Sequence, residues 1–266
     1  MTPVTVRRGA GPILLALPHT GAFVPADIAT RLNANGRALA DTDWHIDKLY
    51  RGLRADLTVV RATFHRYVID ANRAPDGASL YPGQNTTGLV PLTDFDGAPL
   101  WTTPPDAAEA ARRRAAFHAP YHAALAAEMA RIHARHGIAI LYDAHSIRSR
   151  IPYLFDGILP DFNIGTNDGA ACAAPLAEAV AAICARAPGY TSVTNGRFKG
   201  GWTTRHYGRP AQGWHAIQME LAQSTYLDTE AAPFAHAPAK ARRLRAHLRE
   251  ILNTINDLAP TVKAEP

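Results

Sequence analysis

Ile138-Ala139-Ile140-Leu141-Tyr142-Asp143-Ala144-His145-Ser146 decides the fold class of this chain. Residues 138–142 are apolar without interruption, the pattern of a strand buried on both faces, and the run passes directly into Asp143, His145 and Ser146. Functional polar groups at the carboxyl end of a buried strand are the usual layout of α/β enzymes. Ile13 to Leu17 repeats the design and runs into Pro18-His19-Thr20-Gly21, while Trp214 to Leu221 alternates as a strand that carries Glu220 near its end. Leu57 to Ala62, Tyr67 to Ile69 and Tyr190 to Thr194 are further predicted strands. Between them lie helical patterns. Asp41-Thr42 is expected to cap a helix bearing Trp44, Ile46, Leu49, Tyr50 and Leu53. Asp106 to His136 is Ala-rich and ends at Gly137, with Pro120 expected to kink or break it. Ala170 to Arg186 and Lys240 to Leu258 complete the set. Strands alternating with helices predict one α/β domain over residues 1–266, with a mixed, mostly parallel sheet flanked by helices. Ala74 to Pro104 has no sustained periodicity, and so long a loop in a compact domain is often functional. Asn195 to Gln212 is glycine-rich and basic, hence also a predicted loop.

The composition agrees with a globular chain. It has 266 residues, 47% hydrophobic and 19% charged, long enough to bury roughly three quarters of its unfolded surface. Two cysteines exclude a disulfide framework and a Cys-based zinc module. Cys172 and Cys184 are expected on one helix, about 18 Å apart and too far to bridge. The apolar run 13–17 is too short for a signal-peptide core, and nothing approaches the ~20 apolar residues of a membrane span. A cytoplasmic protein is therefore expected, with no membrane partner. The net charge of +5 is modest, and Arg112-Arg113-Arg114 and Arg242-Arg243 are expected on exposed helix faces. No basic motif interleaved with aromatics supports nucleic-acid binding. No phosphate-binding loop, dinucleotide fingerprint or nucleophile elbow is present either. The 12 histidines are the compositional feature to follow.

His19, His145 and Glu220 all fall at predicted strand ends. Two imidazoles and a carboxylate suit a hydrolytic metal centre, which needs neutral or anionic ligands, an open position for water and a nearby base. Asp143 is placed to orient a ligand imidazole, because such rings usually donate their other N–H to a carboxylate or carbonyl; it is equally placed to cap the turn after the strand. Asp70-Ala71-Asn72-Arg73 follows another apolar run, and Arg offers a planar fork suited to a carboxylate; a surface turn with an ion pair would read the same way. His118 and His122 are spaced i, i+4 but lack the glutamate context of a zinc helix, and with His133 and His136 they are expected to be surface or supporting residues, His122 nearest the site.

The ordered set Pro18-His19-Thr20-Gly21, Asp41-Thr42-Asp43-Trp44, Tyr67 to Arg73, Leu80-Tyr81-Pro82-Gly83, Tyr121-His122, Asp143 to Ser146, Lys199-Gly200-Gly201 and Gln218 to Leu221 resembles the N-formylglutamate amidohydrolases. The resemblance spans about residues 10 to 230. That family is in turn similar to the zinc carboxypeptidases and aspartoacylases, and the likeness implies their fold. It implies one divalent ion, Zn²⁺ or alternatively Co²⁺, with His19 and His145 as ligands. Carboxypeptidases carry an acidic ligand three residues after the first histidine, where this chain has Ala22. The acidic ligand is therefore expected at Asp43, with Asp47 in reserve. The resemblance also implies Glu220 as general base and Asn72-Arg73 as holders of a substrate carboxylate. Lys199 or Arg205 in the glycine-rich loop would hold a second carboxylate, the partner being a small dianion. The implied reaction is hydrolysis of N-formyl-L-glutamate to formate and L-glutamate, the last step of a histidine degradation route. A metallo-amidase or carboxypeptidase for another acyl amino acid or peptide, and a non-catalytic carboxylate binder that has lost its metal, are the competing classes. The sequence assigns no oligomeric state.

Overall fold

Short aliphatic and β-branched runs form the strands β1 (Val4–Arg7), β2 (Ile13–Leu17), β3 (Thr58–Ala62), β4 (Ala139–Ile147), β5 (Phe162–Gly165), β6 (Ser192–Thr194) and β7 (Trp214–Ala222). The computed structural model describes residues 2–79 and 83–262, so Leu80, Tyr81 and Pro82 of the Leu80–Gly83 motif lie outside the described residues. The strands make one sheet in the order β1-β3-β2-β4-β7-β5-β6. β3, β2, β4 and β7 run parallel, whereas β1 is antiparallel to β3 and β5 antiparallel to β7. This is the expected α/β class with a mixed, mostly parallel sheet.

The helices are α1 (Ala26–Ala29), α2 (Ala34–Arg37), α3 (Ile46–Tyr50), α4 (Ala107–Arg113), α5 (Ala119–His136), α6 (Ala174–Ala185), α7 (Trp202–Tyr207) and α8 (Pro238–Leu258). One face of the sheet packs Leu15, Ile140, Tyr142 and Met219 against α3, α6 and α8. On α8 the buried stripe Leu244, Leu248, Ile251 and Ile255 has helical spacing, and each such side chain gains about 1.5–3 kcal/mol by leaving water. The opposite face packs Leu14, Ala16, Leu141 and Ala216 against Leu125, Met129 and Ile132 of α5. Every residue of β2 and β4 is buried, as continuous apolar runs require.

The β4–β7 register positions the site. Leu141 pairs with Ala216, Asp143 with Gln218 and His145 with Glu220. Residues two apart share a face, so the α5-facing side of these strands changes from apolar to polar towards their carboxyl ends. Because β4 runs on to Ile147, Asp143 and His145 lie within the strand and not after it.

Several sequence expectations need correction. Tyr67–Ile69 is a buried turn and not a strand; a short apolar run cannot be assigned from periodicity alone. The helix expected from Asp41 shrinks to α3, because residues 41–45 form tight turns and His45 takes a left-handed conformation, φ 61°. Asn195–Gln212 is not all loop, since it contains α7. The antiparallel strands β1 and β5, four residues each, were not expected from the sequence. Pro120 does not break the helical run: a π turn, Arg114–His118, joins α4 to α5, and the Ala119 N–H bonds to Arg114 O. That wider turn makes room for a proline ring that would clash with the carbonyl four residues earlier in a regular helix. Cys172 precedes α6 and is buried, as is Cys184. Arg113 is 2% exposed and not on an exposed face; it pairs with Glu109 and stacks on Trp101. Among the described residues, no helix is long and apolar enough to cross a membrane.

Candidate metal centre

His19 leaves the end of β2 in the turn Pro18-His19-Thr20-Gly21. A Cβ on Gly21 would lie 2.4 Å from the Thr63 carbonyl carbon, so only glycine lets this turn pack against the chain leaving β3. His19 O accepts the Asp43 N–H at 3.0 Å. The turn 41–45 is thereby docked on the histidine, and the Asp43 carboxylate is aimed at its ring. His145 enters from β4. The result is a triangle in which His19 Nδ1 is 3.2 Å from His145 Nδ1, and Asp43 Oδ2 is 3.3 Å from His145 Nδ1 and 3.7 Å from His19 Nδ1.

These three side chains form a possible metal-binding triad. Tetrahedral Zn²⁺ with bonds of about 2.0–2.2 Å separates its ligand atoms by about 3.3–3.6 Å, close to each edge of the triangle. Asp43 Oδ2 is buried and accepts no hydrogen bond, which is costly unless a cation completes it. Asp43, and not Asp47, is the acid that joins the histidines; Asp47 lies apart and pairs with Arg51 and Arg61.

A second set of groups orients the rings. Asp70 Oδ1 is 2.7 Å from His19 Nε2 and Asp143 Oδ2 is 3.1 Å from His145 Nε2. The Asn72 N–H donates to Asp70 Oδ1 at 2.8 Å. His19 thus turns Nε2 to a buried carboxylate and Nδ1 to the centre, the arrangement that fixes the tautomer of a ligand imidazole, whereas His145 Nε2 lies between Asp143 Oδ2 at 3.1 Å and Asn72 Nδ2 at 3.2 Å. Arg66 contacts His19 Nδ1 and lies 3.4 Å from Asp43 Oδ1. Burial and the Arg66 charge hold the His19 pKa down, which favours a neutral ring. His145 is shifted well upward: burial alone would lower it, but Asp143, Asp43 and Glu220 outweigh that. Four buried carboxylates, Asp43, Asp70, Asp143 and Glu220, therefore surround two imidazoles and one guanidinium.

Glu220 projects beside His145 from the neighbouring strand. Burial, first, and then the Asp43 and Asp143 charges raise its pKa to about 8, with His145 and Arg66 opposing. Gln218 Nε2 lies 3.3 Å from Glu220 Oε2, and Gln218 Oε1 accepts the Gly201 N–H at 2.8 Å. Asn72 Oδ1 accepts the Thr203 N–H at 2.9 Å.

His19, Arg66, Asn72, His145, Gln218 and Glu220 line a cavity of about 90 Å³ that Arg73, Arg197, Thr87, Phe95, Leu154 and Phe198 also line. It is well below the ~300–1,000 Å³ of a drug-sized pocket, and so suits a compact ligand. Arg73 is held by Thr87, through Nε to the carbonyl at 2.8 Å and Nη2 to Oγ1 at 2.9 Å. Asn85, Thr87 and Phe95 belong to the long segment 74–104. Lys199 and Arg205 do not line the cavity: Lys199 Nζ points to Asp168 at 3.1 Å, and Arg205 Nε donates to Gly200 O at 3.1 Å. The cavity arginine of that loop is Arg197, with Nε on Leu154 O at 3.1 Å. Sequence reasoning named neither Arg66, Arg197 nor the contact of Asp70 with His19. The only available signal was that Arg66 and Asp70 bracket an apolar run beside Asn72-Arg73. His118 and His122 are buried away from the triad and bond to main-chain carbonyls.

The sequence profile described as N-formylglutamate amidohydrolase matches residues 11–227. The N-formylglutamate deformylase of Pseudomonas aeruginosa is 48% identical over 255 residues, 95% of each chain. That of Pseudomonas putida is 46% identical over 256 residues, again 95% of each. The crystal structure of N-formylglutamate amidohydrolase from Ralstonia eutropha JMP134 has a TM-score of 0.81 at 28% identity, covering 98% of both chains. A gene product from Agrobacterium tumefaciens shares the fold alone, with a TM-score of 0.75 at 19% identity over 97% of this chain and 96% of that one. Profile and relatives span most of the sequence, and the chain belongs to the N-formylglutamate amidohydrolase family.

Proposed function

We propose that this protein hydrolyses N-formyl-L-glutamate to formate and L-glutamate with one divalent ion, Zn²⁺ or Co²⁺, held by His19, Asp43 and His145, as the last step of a histidine degradation route. The observation that carries the reading is the convergence of that triad with Glu220, in register with His145, where His19, His145 and Glu220 line a small cavity together with Arg66, Arg73 and Arg197. When bound, the ion supplies Lewis-acid polarisation and makes water acidic enough to ionise near pH 7.

Glu220 takes a proton from the attacking water as the oxygen–carbon bond to the formyl group forms. It returns a proton to the glutamate nitrogen as the carbon–nitrogen bond breaks. A carboxyl raised towards neutrality by burial is matched to both transfers. Arg66, against His19 and Asp43, offers N–H donors to the developing oxyanion in a water-poor site. Asn72 and Arg73 hold one carboxylate of the dianion and Arg197 the other, Arg197 replacing Lys199 and Arg205 in that role.

The test is formate release. Protein stripped by a chelator is expected to lose formate release from N-formylglutamate and to recover it with one equivalent of Zn²⁺ or Co²⁺. Turnover that survives stripping would overturn the metal mechanism, and faster turnover of N-acetylaspartate or a short peptide would overturn the substrate. A second expectation concerns Gly201. A Cβ there would sit 2.3 Å from Asn72 Nδ2, so Gly201→Ala must displace that amide. The KM should rise roughly tenfold through misplacement of the bound substrate, as read in steady-state kinetics.

A further inference from the structure

Segment 66–73 carries Arg66, Asp70, Asn72 and Arg73 into the site without belonging to any strand. It is nonetheless interior: Tyr67, Val68, Ile69, Asp70 and Ala71 are at most 1% exposed. Buried carbonyls that lack a strand ladder must find donors elsewhere. Here three donors come from side chains of one helical run. Arg113 Nη1 donates to Val68 O at 3.2 Å, His122 Nε2 to Ala71 O at 2.8 Å and His118 Nε2 to Arg73 O at 3.0 Å. The last two carbonyls belong to the residues on either side of Asn72.

The π turn makes this possible. At about 100° per residue, His118 and His122 would lie about 140° and 180° around an uninterrupted helix from Arg113. A one-residue π insertion between them brings those angles to about 40° and 80°, and the observed π turn spans Arg114–His118. All three donors therefore face the same segment. Burial lowers the pKa of both histidines, His122 to about 3. Each is then a neutral ring with one N–H, and donation to a carbonyl assigns that proton to Nε2. His122 Nδ1 faces the Tyr207 hydroxyl at 3.2 Å, and α7 returns to the same turn through the Thr203–Asn72 bond.

We propose that His118 and His122 are positioning residues for the carboxylate anchor: their Nε2–H groups clamp the carbonyls of Arg73 and Ala71 and so fix where Asn72 and Arg73 meet the substrate. The catalytic consequence rests on the proposed N-formylglutamate activity; the clamp itself rests on geometry alone.

The experiment replaces each histidine singly by Leu, which fills space without a donor, and by Gln, whose amide can reach the carbonyl. Each Leu variant is expected to raise the KM for N-formylglutamate about tenfold with kcat within about threefold, the loss of one buried hydrogen bond acting on binding. The Gln variants are expected to recover to within about threefold of the parent KM. Should a Leu variant not fold, Asn, whose amide stops short, replaces it with the same expectation. Parent-like KM in the donor-free variants overturns the clamp, and so does equal impairment of the Gln variants, which would mark a packing role only. Amide hydrogen exchange across residues 67–73, measured without substrate, is expected to quicken in the Leu variants and not in the Gln variants. Unchanged exchange overturns the clamp whatever the substrate. Absence of formate release by the parent would defeat the functional reading alone, with exchange still deciding the clamp.

Discussion

Glu220→Gln is expected to lower kcat for formate release by about 10²–10⁴-fold, the usual share of a general base, while the protein still binds one equivalent of Zn²⁺. The substitution keeps the shape of a side chain that is 7% exposed and packed beside His145 and Gln218. It removes only the capacity to take a proton, because the amide has no ionisable oxygen. Glu220 lies outside the triad of His19, Asp43 and His145, so metal content should not follow activity down. Steady-state kinetics with metal analysis of the same preparation makes the comparison. Loss of both together would make Glu220 a ligand and not a base, and unchanged kcat would remove it from the chemistry.

His145→Ala is expected to lose stoichiometric metal and, with it, more than about 10³-fold of activity, since the ion is asked to supply several kcal/mol of charge stabilisation. Thermal stability should fall as well. The imidazole is the neighbour of Asp143 at 3.1 Å, and that carboxylate is wholly buried. Removing the partner of a buried charge typically costs about 3–5 kcal/mol, beyond the loss of packing. The double variant Asp143→Asn, His145→Ala separates the two effects: it should regain melting temperature without regaining metal or turnover. Metal analysis, calorimetry and formate release check the three arms. Retained metal in the single variant would move the site elsewhere.

The parts of this molecule legible in the sequence are those written as periodicity. The unbroken run 138–142 announced the central strand, and like patterns at 13–17 and 214–221 marked the carboxyl-terminal parts of three strands as the places to look for His19, His145 and Glu220. Asp43 was legible only by resemblance and by the alanine at position 22; its aim at His19 depends on a turn that docks through main-chain atoms, which side-chain patterns do not encode. Arg197, and not Lys199 or Arg205, lines the cavity; composition marks a basic loop without saying which of its residues turns inward. Asp70 and Arg66 were hidden by a related ambiguity. The apolar residues between them look like a strand, and only the tertiary structure reveals a buried turn whose carbonyls are served by Arg113, His118 and His122. The π turn left no periodic trace, because one extra residue in a helix changes the facing of all that follows without changing composition.

The pairing of β4 with β7 has an evolutionary consequence. The two strands are locked side by side over nine consecutive residues, from Ala139–Trp214 to Ile147–Ala222, so the spacing of Glu220 from His145 is set by a backbone ladder. The groups that surround a ligand's outer atoms stand on connecting segments instead, Thr87 and Phe95 on one and Arg197 and Phe198 on another. Glu220 and His145 thus stand on the ladder, whereas His19 and Asp43 stand on turns beside it. Insertions, deletions and substitutions in the connecting segments can reshape the cavity wall while the spacing of Glu220 from His145 stays where the sheet put it.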